Sequence, residues 1–330
     1  MSNYPPPYSG TSFQQQPALE PADPAPSLPL HQRASRSEWL WPAVLFFLTF
    51  ISTTGAGLFY AAGDSDPLSM LGTVIFRPSR LLLGLPFSVT CIGILLAHEM
   101  GHYLACRHYG IRCTPPYFIP LPISFVGTLG AFIRIKSPFN HKRALFDVGI
   151  AGPLAGFAFV IPALVIGIRF SQLVPKGSLD LDGAISFGEP LLFRFVGKLV
   201  LGYSPATQDM VAHPIAMAAW FGLLATCLNL LPVWQLDGGH IAYAILGRDP
   251  QRKISITAAV SLILISFLSW PFMSYLVFGL LLLIVGARFR FYHPPTLYDQ
   301  ERLGRGRILL GLLALLILLV SFTPVPISVS

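Results

Sequence analysis

Two histidines four residues apart enclose a glutamate in the string His98-Glu99-Met100-Gly101-His102. On an α-helix this spacing sets both imidazoles on one face, where they can share one metal ion. Neutral imidazoles suit Zn²⁺, and the carboxylate between them is positioned to take a proton from a water on that metal. The same string arises by chance in soluble helices. Here it lies within an apolar run at about 81 to 106. Ionisable groups in such surroundings are costly, and are functional by default until a partner explains them.

Two histidines and a water leave a tetrahedral zinc one protein ligand short, which directs the search to a carboxylate at similar depth in another span. Asp237 is the candidate, in the stretch running from Asn229 through Pro232 and Leu236 to Asp237-Gly238-Gly239. Counting from residue 81, His98 lies about 26 Å deep at the helical rise, whereas a straight helix from His213 would carry Asp237 to about 36 Å. The depths agree if Pro232 and the glycine pair interrupt the helix. Asp237 also reads as an aspartate at an interfacial helix end, and His240 beside the Asp-Gly-Gly turn is a competing ligand. A carboxylate fits the pattern better. Glu189 and Glu301 fall in loops, away from the depth of His98.

The elements that must hold these residues follow from composition. Of 330 residues, 53% are hydrophobic and 11% charged, against roughly a quarter charged in an average soluble domain. Apolar runs at about 40–61, 81–106, 144–169, 213–232, 254–269, 271–288 and 308–323 give about seven spans. The fold class expected is therefore an all-α polytopic membrane protein. Trp270 and Pro271 between the fifth and sixth runs suit a tight helical hairpin. The division that follows is a disordered tail at 1–36, a first span with an outside loop at 37–80, a catalytic core at 81–247 and C-terminal helices at 248–330.

The formal net charge is +7, but Lys and Arg lie between apolar spans and form no basic stripe, so nucleic acid is not an expected partner. Cys91, Cys106, Cys113 and Cys227 show no C-x-x-C spacing, and neither a disulfide framework nor a cysteine metal site is indicated. Basic clusters at 33–36, 107–143, 248–253 and 288–307 alternate with the spans so that all fall on one side, which makes the N-terminus cytoplasmic. The absence of a transit-peptide pattern suits a bacterial inner membrane.

His98-Glu99-x-x-His102 followed by Asn229-x-x-Pro232 and Leu236-Asp237-Gly238, with Ala151-Gly152-Pro153-Leu154-Ala155-Gly156 between them, resembles the site-2 protease class of intramembrane zinc metalloproteases. The resemblance covers about 81 to 247. It implies that His98, His102 and Asp237 bind one zinc per chain, that Glu99 is the general base and acid, and that Asn229 holds the substrate or polarises its carbonyl. Its substrates would be transmembrane proteins cut in the lipid bilayer. The polar loop 170–212 is too short for the PDZ module of roughly ninety residues that several bacterial members carry, so the chain looks like the PDZ-free branch, which includes chloroplast relatives. By the same resemblance, residues 123–136 form a re-entrant β-hairpin near the active site, whose edge could accept a strand of substrate. Gly152 and Gly156 read as a helix-packing pair.

A rival from another class is a zinc-dependent membrane scaffold or transporter without proteolytic activity, which has no need of Glu99. An inactive relative is opposed by the intact His98, Glu99, His102, Asn229 and Asp237. Oligomeric state, substrate identity and activating signal have no signature in the sequence.

Overall fold

Every apolar run folds as a helix, because in a chain this poor in charge the helix is the conformation that satisfies each backbone N–H and C=O within its own segment. The computed structural model describes residues 36–62, 78–122, 124–178, 185–271, 273–300 and 302–329. The expected tail, 1–36, lies outside them except for Arg36, which opens the first helix.

The helices are α1 (Arg36–Ala62), α2 (Leu85–His108, after a 3₁₀ turn at Pro78–Gly84), α3 (Lys142–Arg169), α4 (Leu191–Leu201), α5 (Pro214–Leu230), α6 (Asp237–Leu246), α7 (Arg248–Ser266), α8 (Leu276–Arg288) and α9 (Arg305–Ser321). Among the described residues, four helical stretches are long and apolar enough to cross a membrane: Glu38–Ala61, Ser79–His108, Lys142–Arg169 and Arg248–Ser269. The runs at 213–232, 271–288 and 308–323 give α5, α8 and α9, of 17, 13 and 17 residues. Prolines stand in the first turn of α2 and α5, where the missing N–H has no intrahelical partner to lose.

The core is helix on helix. Phe87 and Ile94 of α2 meet Val160 and Leu164 of α3 and Trp220 and Leu223 of α5. A second cluster joins Phe146 and Ile150 of α3, Ile241 of α6 and Ala314 and Ile317 of α9. Leu262 of α7 packs with Tyr275 and with Leu282 of α8 in a third. Outward faces are apolar as well: Val277 is 81% exposed, and Phe47, Leu264 and Leu309 also point out. In water such a surface would invite association, whereas lipid solvates it.

Among the described residues there are also three two-stranded antiparallel pairs: β1 (Tyr117–Pro120) with β2 (Thr128–Phe132), β3 (Gln172–Pro175) with β5 (Gln208–Val211), and β4 (Ile185–Phe187) with β6 (Ile327–Val329). The β1–β2 register sets Tyr117 opposite Phe132 and Ile119 opposite Gly130. The hairpin thus begins earlier than the expected 123–136, because Pro115, Pro116 and Pro120 hold the preceding segment extended while weakening its alternation. The loop at 170–212, expected only as a polar connection, contains α4 and three strands.

Segments rich in Lys and Arg meet at one end of the bundle. Lys136 pairs with Glu38 of α1 at 3.3 Å, Lys142 with Asp299 at 3.6 Å, and Arg307 of α9 with Asp147 of α3 at 2.6 Å. The β3–β5 and β4–β6 pairs follow from the opposite helix ends.

Candidate metal centre

The site is assembled where α2, α3 and the start of α6 converge. On α2 the four-residue spacing turns His98 and His102 to the same side, and the ring centroids lie 4.8 Å apart. Both are buried, as is Glu99 between them. Asp237 reaches them because α5 stops at Leu230 and the chain turns through residues 231–236 before α6 starts on Asp237 itself. The interruption expected here thus falls at residues 231–236, around Pro232, whereas the glycine pair lies within the first turn of α6 and does not break the helix. Only glycine fits the return at 238, where a Cβ would stand 1.9 Å from the Leu230 carbonyl oxygen.

Asp237 faces both rings, with Oδ2 at 3.2 Å from His98 Nε2 and Oδ1 at 3.3 Å from His102 Nε2. The two Nε2 atoms are 3.1 Å apart. His102 Nδ1 lies 2.7 Å from the Val148 carbonyl oxygen of α3, which can only accept. In its neutral form His102 therefore carries its proton on Nδ1 and presents a bare Nε2 to the cluster. Asp237 Oδ2 is buried and, although within ion-pair distance of His98, makes no hydrogen bond. Lone pairs converging on one another with an orphaned carboxylate oxygen among them are poorly satisfied by hydrogen bonding, and well satisfied by a cation at their centre.

One ligand atom from each of His98, His102 and Asp237 lies within 4.8 Å of the others. Two imidazoles, one carboxylate and room for a further ligand fit a catalytic zinc. His240, the competing ligand, lines the same pocket but stands outside this group. Glu99 also lines the pocket, as does Ile133 just beyond β2. Asn229, at the end of α5, sets Nδ2 3.4 Å from His98 Nε2. All five residues singled out by sequence are brought together.

Four contributors were not legible as such. Gly152 and Gly156, expected only to pack helices, are where α3 admits the two rings: a Cβ at 156 would meet His98 Cβ at 3.1 Å, and one at 152 would strike the His102 ring. The Gly-x-x-x-Gly spacing was the available signal, but it does not name the partner. Val148 acts through its carbonyl, which leaves no trace in residue type. His293, from the segment between α8 and α9, lies 2.6 Å from His240.

The description Peptidase family M50 matches residues 86–269. The chain is 35% identical over 227 residues to "Probable zinc metalloprotease EGY1, chloroplastic" of Oryza sativa subsp. japonica, covering 68% of this chain and 38% of that protein. Against the protein of the same description from Arabidopsis thaliana it is 30% identical over 305 residues, 87% of this chain and 54% of that one. A third relative, "Probable zinc metalloprotease EGY2, chloroplastic" of Oryza sativa subsp. indica, is 37% identical over 179 residues, 53% of this chain and 31% of that one. The chain thus spans about half or less of the length of these relatives. Their description as chloroplastic overturns the expected bacterial inner membrane. Span length and loop charge report a bilayer and its sidedness, and are silent on which compartment the bilayer encloses.

Proposed function

This chain belongs to peptidase family M50, and we propose that it hydrolyses peptide bonds of membrane-spanning proteins at the centre formed by His98, His102 and Asp237. The observation that carries the reading is the convergence of these three ligand atoms within 4.8 Å, with Glu99 lining the same pocket. His98, His102 and Asp237 hold zinc, which when bound supplies the Lewis acidity that acidifies a water and polarises a carbonyl.

The remaining steps belong to the chain's own groups. Glu99 takes the proton of the attacking water and returns it to the departing amine, a transfer for which its position beside both histidines suits it. Asn229 donates its amide to the scissile carbonyl oxygen as negative charge grows there. Ala131 and Phe132 of β2 and the adjacent Ile133 line the pocket, so the outer edge of a two-stranded pair is available to an extended substrate. That pairing compensates the backbone groups that a helical substrate frees as it unwinds within the membrane.

Four crossings are those of the long helices; α5, α8 and α9 add three more, their shorter length met by local thinning of the bilayer. The β1–β2 hairpin enters from the basic end without crossing. Following the relatives, the bilayer is a chloroplast membrane.

The test is cleavage of a tagged single-span protein by the purified chain in liposomes, with metal measured on the same sample. Cleavage by the native chain and none by Glu99→Gln at equal zinc supports the reading. Equal cleavage by both excludes it, and absence of cleavage by a zinc-loaded native chain favours the scaffold or transporter alternative.

A further inference from the structure

The imidazole of His240 is held from behind by a residue far along the chain. His240 Nδ1 lies 2.6 Å from His293 Nε2, and His293 Nδ1 lies 2.6 Å from the Pro294 carbonyl oxygen. A carbonyl can only accept, so His293 Nδ1 carries a hydrogen. His293 is buried, and burial lowers its pKa to about 4, which keeps it neutral near pH 7. Its Nε2 is then bare and must accept, so His240 Nδ1 donates. A second proton on His240 would set an imidazolium beside a site built for a divalent cation, which like-charge repulsion opposes. His240 Nε2 is left with a free lone pair, and among the described residues nothing hydrogen-bonds to it.

His293 is fixed in turn by its neighbours. Tyr243, one turn beyond His240, stacks on its ring at 4.5 Å between centroids. The Tyr243 hydroxyl donates to Asp299 at 3.0 Å, as does Thr296. Leu297 N–H donates to the Phe139 carbonyl at 3.1 Å and Tyr298 N–H to the Asn140 carbonyl at 2.8 Å. The segment 292–299 is thus a strap tying α6 to the residues that follow the hairpin. It lies outside the 86–269 match, and nothing in the peptide chemistry described above requires it.

His240 is half-buried and lines the pocket together with Ala131, Phe132 and Ile133. An extended chain paired along β2 points alternate N–H groups away from that strand, and in a buried cleft those N–H groups need acceptors. Asn229 presents donors to such a chain and Glu99 is committed to the proton transfer, whereas the bare nitrogen of His240 is an acceptor with no other duty.

We infer that His240 is a substrate-holding residue whose Nε2 accepts a peptide N–H of the extended substrate, and that His293 is the positioning residue that fixes its tautomer and ring plane. The inference rests on reading the pocket as a protease site.

The experiment uses the full chain in liposomes with a tagged single-span substrate, zinc content, and ¹⁵N spectra of histidine-labelled protein. His240→Leu raises KM about tenfold, the loss expected for one buried hydrogen bond, with kcat and zinc little changed. His240→Gln, which returns an acceptor oxygen near the lost nitrogen, recovers most of that loss. His293→Phe keeps the stack on Tyr243 but removes the acceptor; it raises KM several-fold and moves the His240 Nε2 resonance from the unprotonated position as the tautomers mix. An unchanged KM in His240→Leu, loss of zinc in step with KM, a His240→Gln as poor as the leucine variant, or an unmoved resonance in His293→Phe would each overturn the proposal. If His240→Leu fails to fold, His293→Phe decides alone. A native, zinc-loaded chain that cleaves nothing sinks the protease reading instead, and the resonance then still tests the tautomer.

Discussion

Gly152 of α3 stands against His102 of α2 so closely that a Cβ at 152 would lie 2.1 Å from the His102 Nε2. The absent side chain is therefore part of the site, because the ring occupies its space. Gly152→Ala has to push the imidazole off its line to Asp237, and a displacement near 1 Å at a catalytic group can lower rate on the order of a hundredfold. Metal content and cleavage should fall together. Gly93→Ala is the control, since a Cβ at Gly93, also on α2, meets nothing within 4 Å. Full zinc in Gly152→Ala, or equal damage from Gly93→Ala, would contradict this account.

The centre was legible because its chemistry is written in spacing. His98 and His102 share a helical face by sequence separation alone, and Asp237 announces itself through Pro232, which breaks the helix before it. What stayed hidden depends on partners distant in sequence. Gly152 reads as a packing glycine unless one knows which ring it faces, and His293 sits in a proline-rich segment with no spacing that links it to His240. The β1 strand was obscured by its own prolines, and the strands between α3 and α5 by sequences of three or four residues whose pairing partners lie far off, β6 among them. The compartment was misjudged for a different reason, because apolar length and charge are common to both kinds of membrane.

The pairing of Arg307 with Asp147 should matter to stability where an exposed pair does not. Arg307 Nε and Nη2 donate to both oxygens of Asp147 at 2.8 and 2.6 Å, and the Tyr109 hydroxyl donates to the same carboxylate. The two side chains are only 28% and 25% exposed. Arg307→Ala strands a half-buried carboxylate and is expected to cost about 1 to 2 kcal/mol. Glu38→Ala, which loses an ion pair to Lys136 with both side chains more than 40% exposed, should change stability by less than about 0.5 kcal/mol. Thermal unfolding in one detergent compares them directly, and equal shifts would show that the bidentate geometry contributes nothing.

Sidedness can be read by labelling. Arg112 and Arg302 belong to the basic end, and Lys176 to the loop after α3. In vesicles of uniform orientation, a membrane-impermeant thiol reagent should reach Arg112→Cys and Arg302→Cys from the same side and Lys176→Cys only from the other, because basic loops resist translocation. Replacing the four native cysteines removes the background. Labelling of all three sites from one side would contradict an odd number of crossings between Arg112 and Lys176, and with it the orientation of α3.

Catalysis and metal binding should separate between Glu99 and Asp237. Glutamine at 99 fills nearly the same volume, but it cannot accept a proton from water. General-base catalysis is commonly worth a hundredfold to ten-thousandfold, roughly, so Glu99→Gln should lose at least about a hundredfold in cleavage while keeping its zinc. Asp237 supplies a ligand atom to the cluster and an oxygen with no hydrogen-bond partner of its own. Asparagine there weakens the anionic ligand and can turn an amide N–H toward the metal position, so Asp237→Asn should lose zinc and activity in parallel, and added zinc should restore part of both. The measurements are metal content after dialysis and gel-based cleavage on the same preparations. Near-native cleavage by Glu99→Gln would remove the proposed proton carrier. Full zinc retention by Asp237→Asn would remove the carboxylate from the metal's ligands and make His240, with its bare Nε2, the residue to exchange next.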